Sequence, residues 1–194
     1  MQKVHGFEQL MIDLRSSSQS KSDQGSKFEI LMQTYFLTSS LYSEIYEKVW
    51  LWHEFPYSDT HDVGIDLVAK LRDKDEFCAI QCKFYDENNS VSKDDVDTFL
   101  SASGKAFYID GVEHRYSERI IVSTTDKWSS NAEETIVGQL PPVTRIRLQD
   151  LKDSEIDWDS FTLDKVENMK VCSKKKERPH QIEAMASRRR SVAS

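Results

Sequence analysis

Two apolar segments constrain this chain more than any other part of it: Gly64-Ile65-Asp66-Leu67-Val68-Ala69 and Cys78-Ala79-Ile80-Gln81-Cys82-Lys83. Between them, Arg72-Asp73-Lys74-Asp75-Glu76 holds only charged residues, which suits a solvated hairpin turn. The spacing predicts two antiparallel strands. Successive side chains of a strand point to opposite faces, so Gln81 and Lys83 share one face while Ile80 and Cys82 share the other. Such a hairpin can bring Asp66 opposite Gln81 and Lys83. An acid, an amide oxygen and an ammonium then meet at one spot, a set that can hold a hard divalent cation and a phosphate together. Taken singly, Gln81 also fits a satisfied core amide, and Lys83 a side chain that runs out to solvent. Asp66 is harder to place as bystander, because an acid inside an Ile-Asp-Leu-Val strand is costly to bury.

The rest of the chain supplies helices around this pair. Phe7, Leu10, Met11 and Leu14 lie at near-helical spacing, followed by a Ser/Gln/Lys run from Ser16 to Ser26 that reads as a loop. Ser26 then opens a helix with Phe28, Leu31 and Tyr35 on its apolar face. Ser26-Lys27-Phe28-Glu29 fits a capping box, in which Glu29 reaches back to the Ser26 amide. The segment Leu41 to Trp52 starts helical and turns into a strand near Val49, and Pro56 to Asp62 reads as a loop. Ser92 caps a helix that buries Val96, Phe99 and Leu100. Arg119–Ser123 is a buried strand. Asn131 to Leu140 reads as a helix stopped by Pro141-Pro142. Val143, Ile146 and Leu148 mark a last strand, and Leu151, Ile156, Trp158 and Phe161 a closing apolar clasp. The expected class is α/β, with a mixed central β-sheet flanked by helices on both faces.

A length of 194 residues makes one domain the default, and 38% hydrophobic residues suffice for a core. No apolar run approaches the roughly 20 residues of a membrane span, so no membrane partner is expected. Cys78 and Cys82 lie four apart with no second pair and no nearby histidine. That argues against zinc and for buried, reduced thiols suited to the cytoplasm. The net charge of −7 is unevenly spread. Residues 165–194 hold nine Lys/Arg against three Asp/Glu, a sum of +6, which leaves −13 for the remainder. So acidic a body binds nucleic acid weakly alone, because affinity for DNA rests largely on cations meeting phosphates.

Gly25-Ser26-Lys27-Phe28-Glu29, then Gly64-Ile65-Asp66, then Gln81-Cys82-Lys83 resembles the PD-(D/E)xK nuclease superfamily in its Mrr-like branch. That branch carries Gln where most of the superfamily has Glu. The resemblance covers roughly residues 20–150 and implies a restriction-endonuclease-like fold. Beyond it, Arg178-Pro179-His180-Gln181-Ile182-Glu183-Ala184 is similar to the opening glutamine motif of superfamily 2 helicases. A nuclease directly before a helicase resembles the N-terminus of the single-chain type ISP restriction-modification enzymes. The implied layout is a nuclease domain over 1–165 and a linker and helicase-like start over 166–186. The segment 187–194 does not continue the helicase pattern, and reads as an appended tail or a basic contact arm.

The resemblance implies that Asp66 is a shared metal ligand, Gln81 the second, and the Cys82 backbone carbonyl a third. Glu29 becomes a metal or water ligand from the first helix of the motif, and Lys83 the residue that touches the scissile phosphate and the attacking water. The implied activity is magnesium-dependent cleavage of double-stranded DNA. The implied partner is a helicase-like translocase in the same full-length chain, where ATP and S-adenosylmethionine would serve other domains. Thr124, Thr125 and Lys127 follow the Ile120 strand and offer a DNA-backbone contact or a plain loop. Asp59, His61 and Asp62 read as solvated loop residues, and His5, His53 and His114 carry no visible arrangement. Three rival readings stay open. They are an inactive nuclease-like module that binds DNA or relays domain contacts, a dimeric structure-selective resolvase, and a plain interaction domain.

Overall fold

The amphipathic start forms α1 (Gly6–Ser17), which buries Phe7, Leu10, Met11 and Leu14. The computed structural model describes residues 6–58, 64–159, 161 and 168–172. Next comes α2 (Lys21–Thr38), which buries Phe28, Leu31, Met32, Tyr35 and Phe36. It begins earlier than the apolar pattern suggested. Its cap is Ser20, whose Oγ accepts from the Asp23 N–H at 3.1 Å, while Asp23 Oδ2 accepts from the Gln19 N–H at 2.9 Å. Lys27 extends this first turn through a 3.0 Å ion pair with Asp23. The stretch read as a loop up to Ser26 is therefore largely helical, and Ser26 lies inside the helix rather than at its cap. The capping role expected of Glu29 falls with it.

The chain continues through α3 (Ser40–Ile45), β1 (Tyr46–Leu51) and a single 3-10 turn at Trp52–Glu54. Then follow β2 (Leu67–Leu71), β3 (Phe77–Lys83), α4 (Lys93–Ser103) and a small hairpin of β4 (Phe107–Ile109) and β5 (Val112–His114). The last elements are β6 (Tyr116–Ser123), α5 (Ser130–Ile136), β7 (Val143–Ile146) and α6 (Leu148–Lys152). Five strands form one sheet in the order β1-β2-β3-β6-β7. The first two pairings are antiparallel and the last two parallel, so the sheet is mixed, as expected. The β4–β5 hairpin was not foreseen. Its turn is Asp110-Gly111, both at positive φ, the dipeptide that two-residue hairpins favour. Leu148 opens a short helix instead of closing a strand, and α5 ends at Ile136, ahead of the positive-φ Gly138.

Each sheet face buries one apolar layer. Leu67, Ala69, Cys78, Ile80, Ile120 and Val122 pack with residues of α1, α2 and α6. Val68, Phe77, Ala79 and Ile121 pack with Val96, Phe99 and Ala102 of α4 and Ala132 of α5. By alternation along β3, Gln81 and Lys83 continue the Phe77–Ala79 row and face α4. Leu151, Ile156, Trp158 and Phe161 close the first layer as the sequence suggested. Residues 168–172 join them, although the composition shift placed them with the linker. Met169 is buried in this layer, and Val171 bridges Ile156. Among the described residues, no helix is long and apolar enough to cross a membrane. His5, residues 59–63, the motif at 178–184 and the segment 187–194 lie outside the described residues.

Candidate active site

Asp66 sits directly before β2, clasped between β3 and the 3-10 turn that follows β1. Its N–H donates to the Ile80 carbonyl at 2.9 Å, and its carbonyl accepts from the Trp52 N–H at 2.8 Å. Its carboxylate is held as well: Oδ2 accepts from the Cys82 N–H at 2.6 Å. A charge-assisted bond of this kind fixes the side chain toward β3 more firmly than a neutral one. The register Leu67↔Ile80 then places Asp66 across from Gln81.

Gln81 is 2% exposed. Its Nε2 donates to the Gly64 carbonyl at 3.1 Å, which orients the amide. Its Oε1 is buried without a hydrogen-bond partner. Gly64 cannot readily be another residue. It adopts φ +91°, and a Cβ there would meet Thr98 Cγ2 at 3.0 Å and Gln81 Nε2 at 3.5 Å.

Lys83 ends β3, and its Nζ lies 3.1 Å from Asp95 Oδ1, with the two side chains 21% and 19% exposed. Asp95 is the third residue of α4. Its Oδ2 accepts from the Ser92 N–H at 2.9 Å, the Ser92 hydroxyl at 2.7 Å and the Tyr85 hydroxyl at 2.9 Å. Burial pushes its carboxyl up, but the Ser92 hydrogen bonds and the Lys83 ammonium outweigh that and hold it below its ordinary value. Burial, and then the bond to Asp95, push the Tyr85 phenol well up. Sequence reasoning saw the segment opened by Ser92 only as a helix start. Strand parity carried the missing signal, since a side chain on the α4 face of β3 has the first turn of α4 within reach.

Glu29 lies on α2. Burial raises the Cys82 thiol well above its ordinary value, followed by the negative charges of Asp66 and Glu29, while Lys83 acts in the opposite sense. The charges of Asp66, Glu29 and Lys83 thus all act on one half-buried thiol near the end of β3. Cys78 is buried and reduced, and among the described residues no group of three His, Cys, Asp or Glu side chains forms a metal cluster.

The residues after β6 divide. Thr124 is 1% exposed. Its Oγ1 accepts from the Tyr85 N–H at 2.7 Å and donates to the Tyr85 carbonyl at 2.7 Å. That corrects its reading as a DNA-backbone contact, because a buried hydroxyl committed to Tyr85 has no face for a phosphate. Thr125 straps the neighbouring loop through the Glu87 and Asn89 carbonyls. Lys127 is exposed, and its Nζ donates to Asn88 Oδ1 at 3.1 Å. His114 packs against Phe107 and Phe77 in the β4–β5 region, and His53 is exposed on the 3-10 turn.

A restriction endonuclease family model, Mrr_cat_2, matches residues 37–168. Among solved structures, the ATP-dependent type ISP restriction-modification enzyme LlaBIII bound to DNA is 34% identical at a TM-score of 0.65. That match covers 90% of this chain and 10% of LlaBIII, so the chain spans about a tenth of that enzyme's length. The MspJI restriction endonuclease in complex with a 27-mer oligonucleotide is 18% identical, with a TM-score of 0.48, over 78% of this chain and 31% of that one. The DNA modification-dependent restriction endonuclease AspBHI is 16% identical, with a TM-score of 0.47, over 78% of this chain and 35% of that one. No curated protein matches. The family match takes in β1 through α6, the whole sheet that carries Asp66, Gln81 and Lys83. The chain belongs to the restriction endonuclease family, as a nuclease domain similar to the corresponding region of a type ISP enzyme.

Proposed function

We propose that this domain hydrolyses phosphodiester bonds of double-stranded DNA with a magnesium ion, cutting one strand per active site. The observation that carries the reading is Gln81 Oε1, a buried oxygen without a hydrogen-bond partner on the strand beside Asp66. Leaving such an acceptor unsatisfied costs about 1–3 kcal/mol, which a hard cation would offset. Asp66, Gln81, the Cys82 carbonyl and Glu29 would hold that cation. All four supply oxygen, the donor magnesium prefers, and so short a set suits an ion that keeps several waters. When bound, the ion supplies Lewis-acid polarisation of the phosphate and a lowered pKa for water. The chain's own residues do the rest. Asp66, fixed by the Cys82 N–H, presents a carboxylate of defined orientation. Lys83 offers a compact cation to the charge that grows on the phosphate, and orients the attacking water. Lys127, exposed after β6, would meet the DNA backbone.

The acidic body argues for delivery by a motor. A translocase tethered in the same chain would raise the local concentration of the nuclease on DNA without any new contact. LlaBIII, which is ATP-dependent and about ten times longer, supports this layout. In the proposed layout, ATP and S-adenosylmethionine would serve other domains, and 166–186 would lead toward the helicase-like part. The test is nicking of supercoiled plasmid by this chain at high concentration. Nicked circles are expected with Mg²⁺ and none with EDTA. Cleavage that persists in EDTA would overturn the metal-dependent reading, as would full cleavage by a longer enzyme carrying Asp66→Ala.

Gln81→Glu sharpens the same point. The added charge is expected to lower the half-saturating Mg²⁺ concentration about tenfold, worth ~1.4 kcal/mol. Glu cannot donate to the Gly64 carbonyl, so without metal the variant is expected to lose about 1–3 kcal/mol of stability. Thermal melts in EDTA and in a Mg²⁺ titration read both effects.

A further inference from the structure

We propose that Asp95 is a positioning residue, a clamp that holds the Lys83 ammonium in place for the phosphate; this rests on the reading of Lys83 above. The two oxygens of Asp95 divide their work. Oδ2 carries the structural bonds, to the Ser92 N–H, the Ser92 hydroxyl and the Tyr85 hydroxyl. Those three contacts complete the cap of α4 and tie it to the segment after β3. A capping box needs no more than this one oxygen. Oδ1 lies instead 3.1 Å from Lys83 Nζ.

The clamp is itself anchored at three points. Ser92 caps α4 and Asp95 lies in its first turn, and the Val96 and Phe99 of that helix are fully buried. Tyr85 is strapped by its backbone to Thr124 at the end of β6. Lys83 ends β3, where its carbonyl accepts from the Thr124 N–H at 3.0 Å. A lysine has a flexible four-carbon stem and three ammonium donors. One donor directed at Asp95 leaves two for a phosphate oxygen and a water. Without the clamp the ammonium would sample many rotamers, and a misplacement of about 1 Å in a catalytic group can cost on the order of 100-fold in rate.

Two substitutions separate positioning from a general weakening of α4. Asp95→Asn keeps an oxygen for Ser92 and Tyr85 but turns an amide toward Lys83. It is expected to lower kcat about 10- to 100-fold with KM within about twofold. Ala102→Gly weakens the far end of α4, where Ala102 is buried, and leaves Asp95 and Ser92 in place. It is expected to lower Tm by about 2–4 °C, with kcat within about twofold. The second readout is the ¹⁵Nζ ammonium resonance of Lys83, whose hydrogens exchange slowly only while held. The signal is expected in wild type and in Ala102→Gly and absent in Asp95→Asn, and it decides the clamp whether or not the chain cleaves. Retention of the signal in Asp95→Asn overturns the proposal. So does its loss with kcat unchanged, or an equal fall of kcat in Ala102→Gly. Full cleavage by Lys83→Ala would sink the reading of the site instead, while the resonance still reported on the pair.

Discussion

Asp66→Asn is expected to lower plasmid cleavage about 10³-fold, roughly 4 kcal/mol of transition-state stabilisation, while the fold survives. The substitution keeps the size of the side chain, and the amide oxygen can still accept from the Cys82 N–H that holds Asp66 Oδ2 at 2.6 Å. The backbone bonds of Asp66 to Ile80 and Trp52 do not involve the side chain. Stability without metal should therefore change by no more than about 1 kcal/mol, the worth of one weakened hydrogen bond. What disappears is the negative charge on which a divalent cation depends. With Gln81 neutral, Asp66 and Glu29 would be the acids left to hold the proposed ion, so each would count for more than in a site with a third carboxylate. The second readout is thermal. An ion that binds the folded chain stabilises it by about 1.4 kcal/mol at tenfold its Kd, and Asp66→Asn should abolish that rise. A variant that cut normally and still gained stability from Mg²⁺ would remove Asp66 from the site.

The central sheet was legible because its signals are local. Alternation along Cys78–Lys83 put Gln81 and Lys83 on one face, and the strand pairing Leu67↔Ile80 follows from the charged turn between the segments. Caps were harder. Ser20 with Asp23, and Ser26 with Glu29, are two plausible helix starts within a few residues of each other, and local pattern alone ranks the pair nearer the apolar stripe first. In the fold Ser20 is the cap, and Lys27 Nζ donates to the Ser17 carbonyl at 2.8 Å. The consequence reaches the site, because it takes Glu29 out of a cap. The Asp110-Gly111 hairpin was readable from its dipeptide, but its strands are three residues each and show no long alternation. Asp95 was hidden for another reason. Its partners Lys83 and Tyr85 come from a different element, and a residue that fits a cap so well invites no second explanation. Thr124 failed in the opposite direction: hydroxyls after a strand resemble a phosphate contact until burial shows them bonded to Tyr85.

Lys83→Met separates the chemistry from the metal. The thioether keeps much of the aliphatic stem and removes the ammonium, which is 3.1 Å from Asp95. Cleavage is expected to fall about 10²- to 10³-fold, the usual cost of losing one preorganised group that stabilises transition-state charge. Unlike Asp66→Asn, this variant should keep the Mg²⁺-induced rise in Tm, because Lys83 donates nothing to a cation. Its removal takes a positive charge from the neighbourhood, so Mg²⁺ affinity should if anything increase. Asp95 would lose its cation but keep the Ser92 and Tyr85 bonds, so the helix start should hold. A half-buried pair broken on one side still leaves a carboxylate with less compensation, and a loss of about 1–2 kcal/mol is expected at neutral pH. The two variants therefore cross: one loses metal response and cleavage together, the other loses cleavage alone. If both lost the metal response, Lys83 would be holding the site together rather than acting on the phosphate. If Lys83→Met cut like wild type, the ammonium would belong to the Asp95 pair alone and the hydrolytic role would fall to another cation.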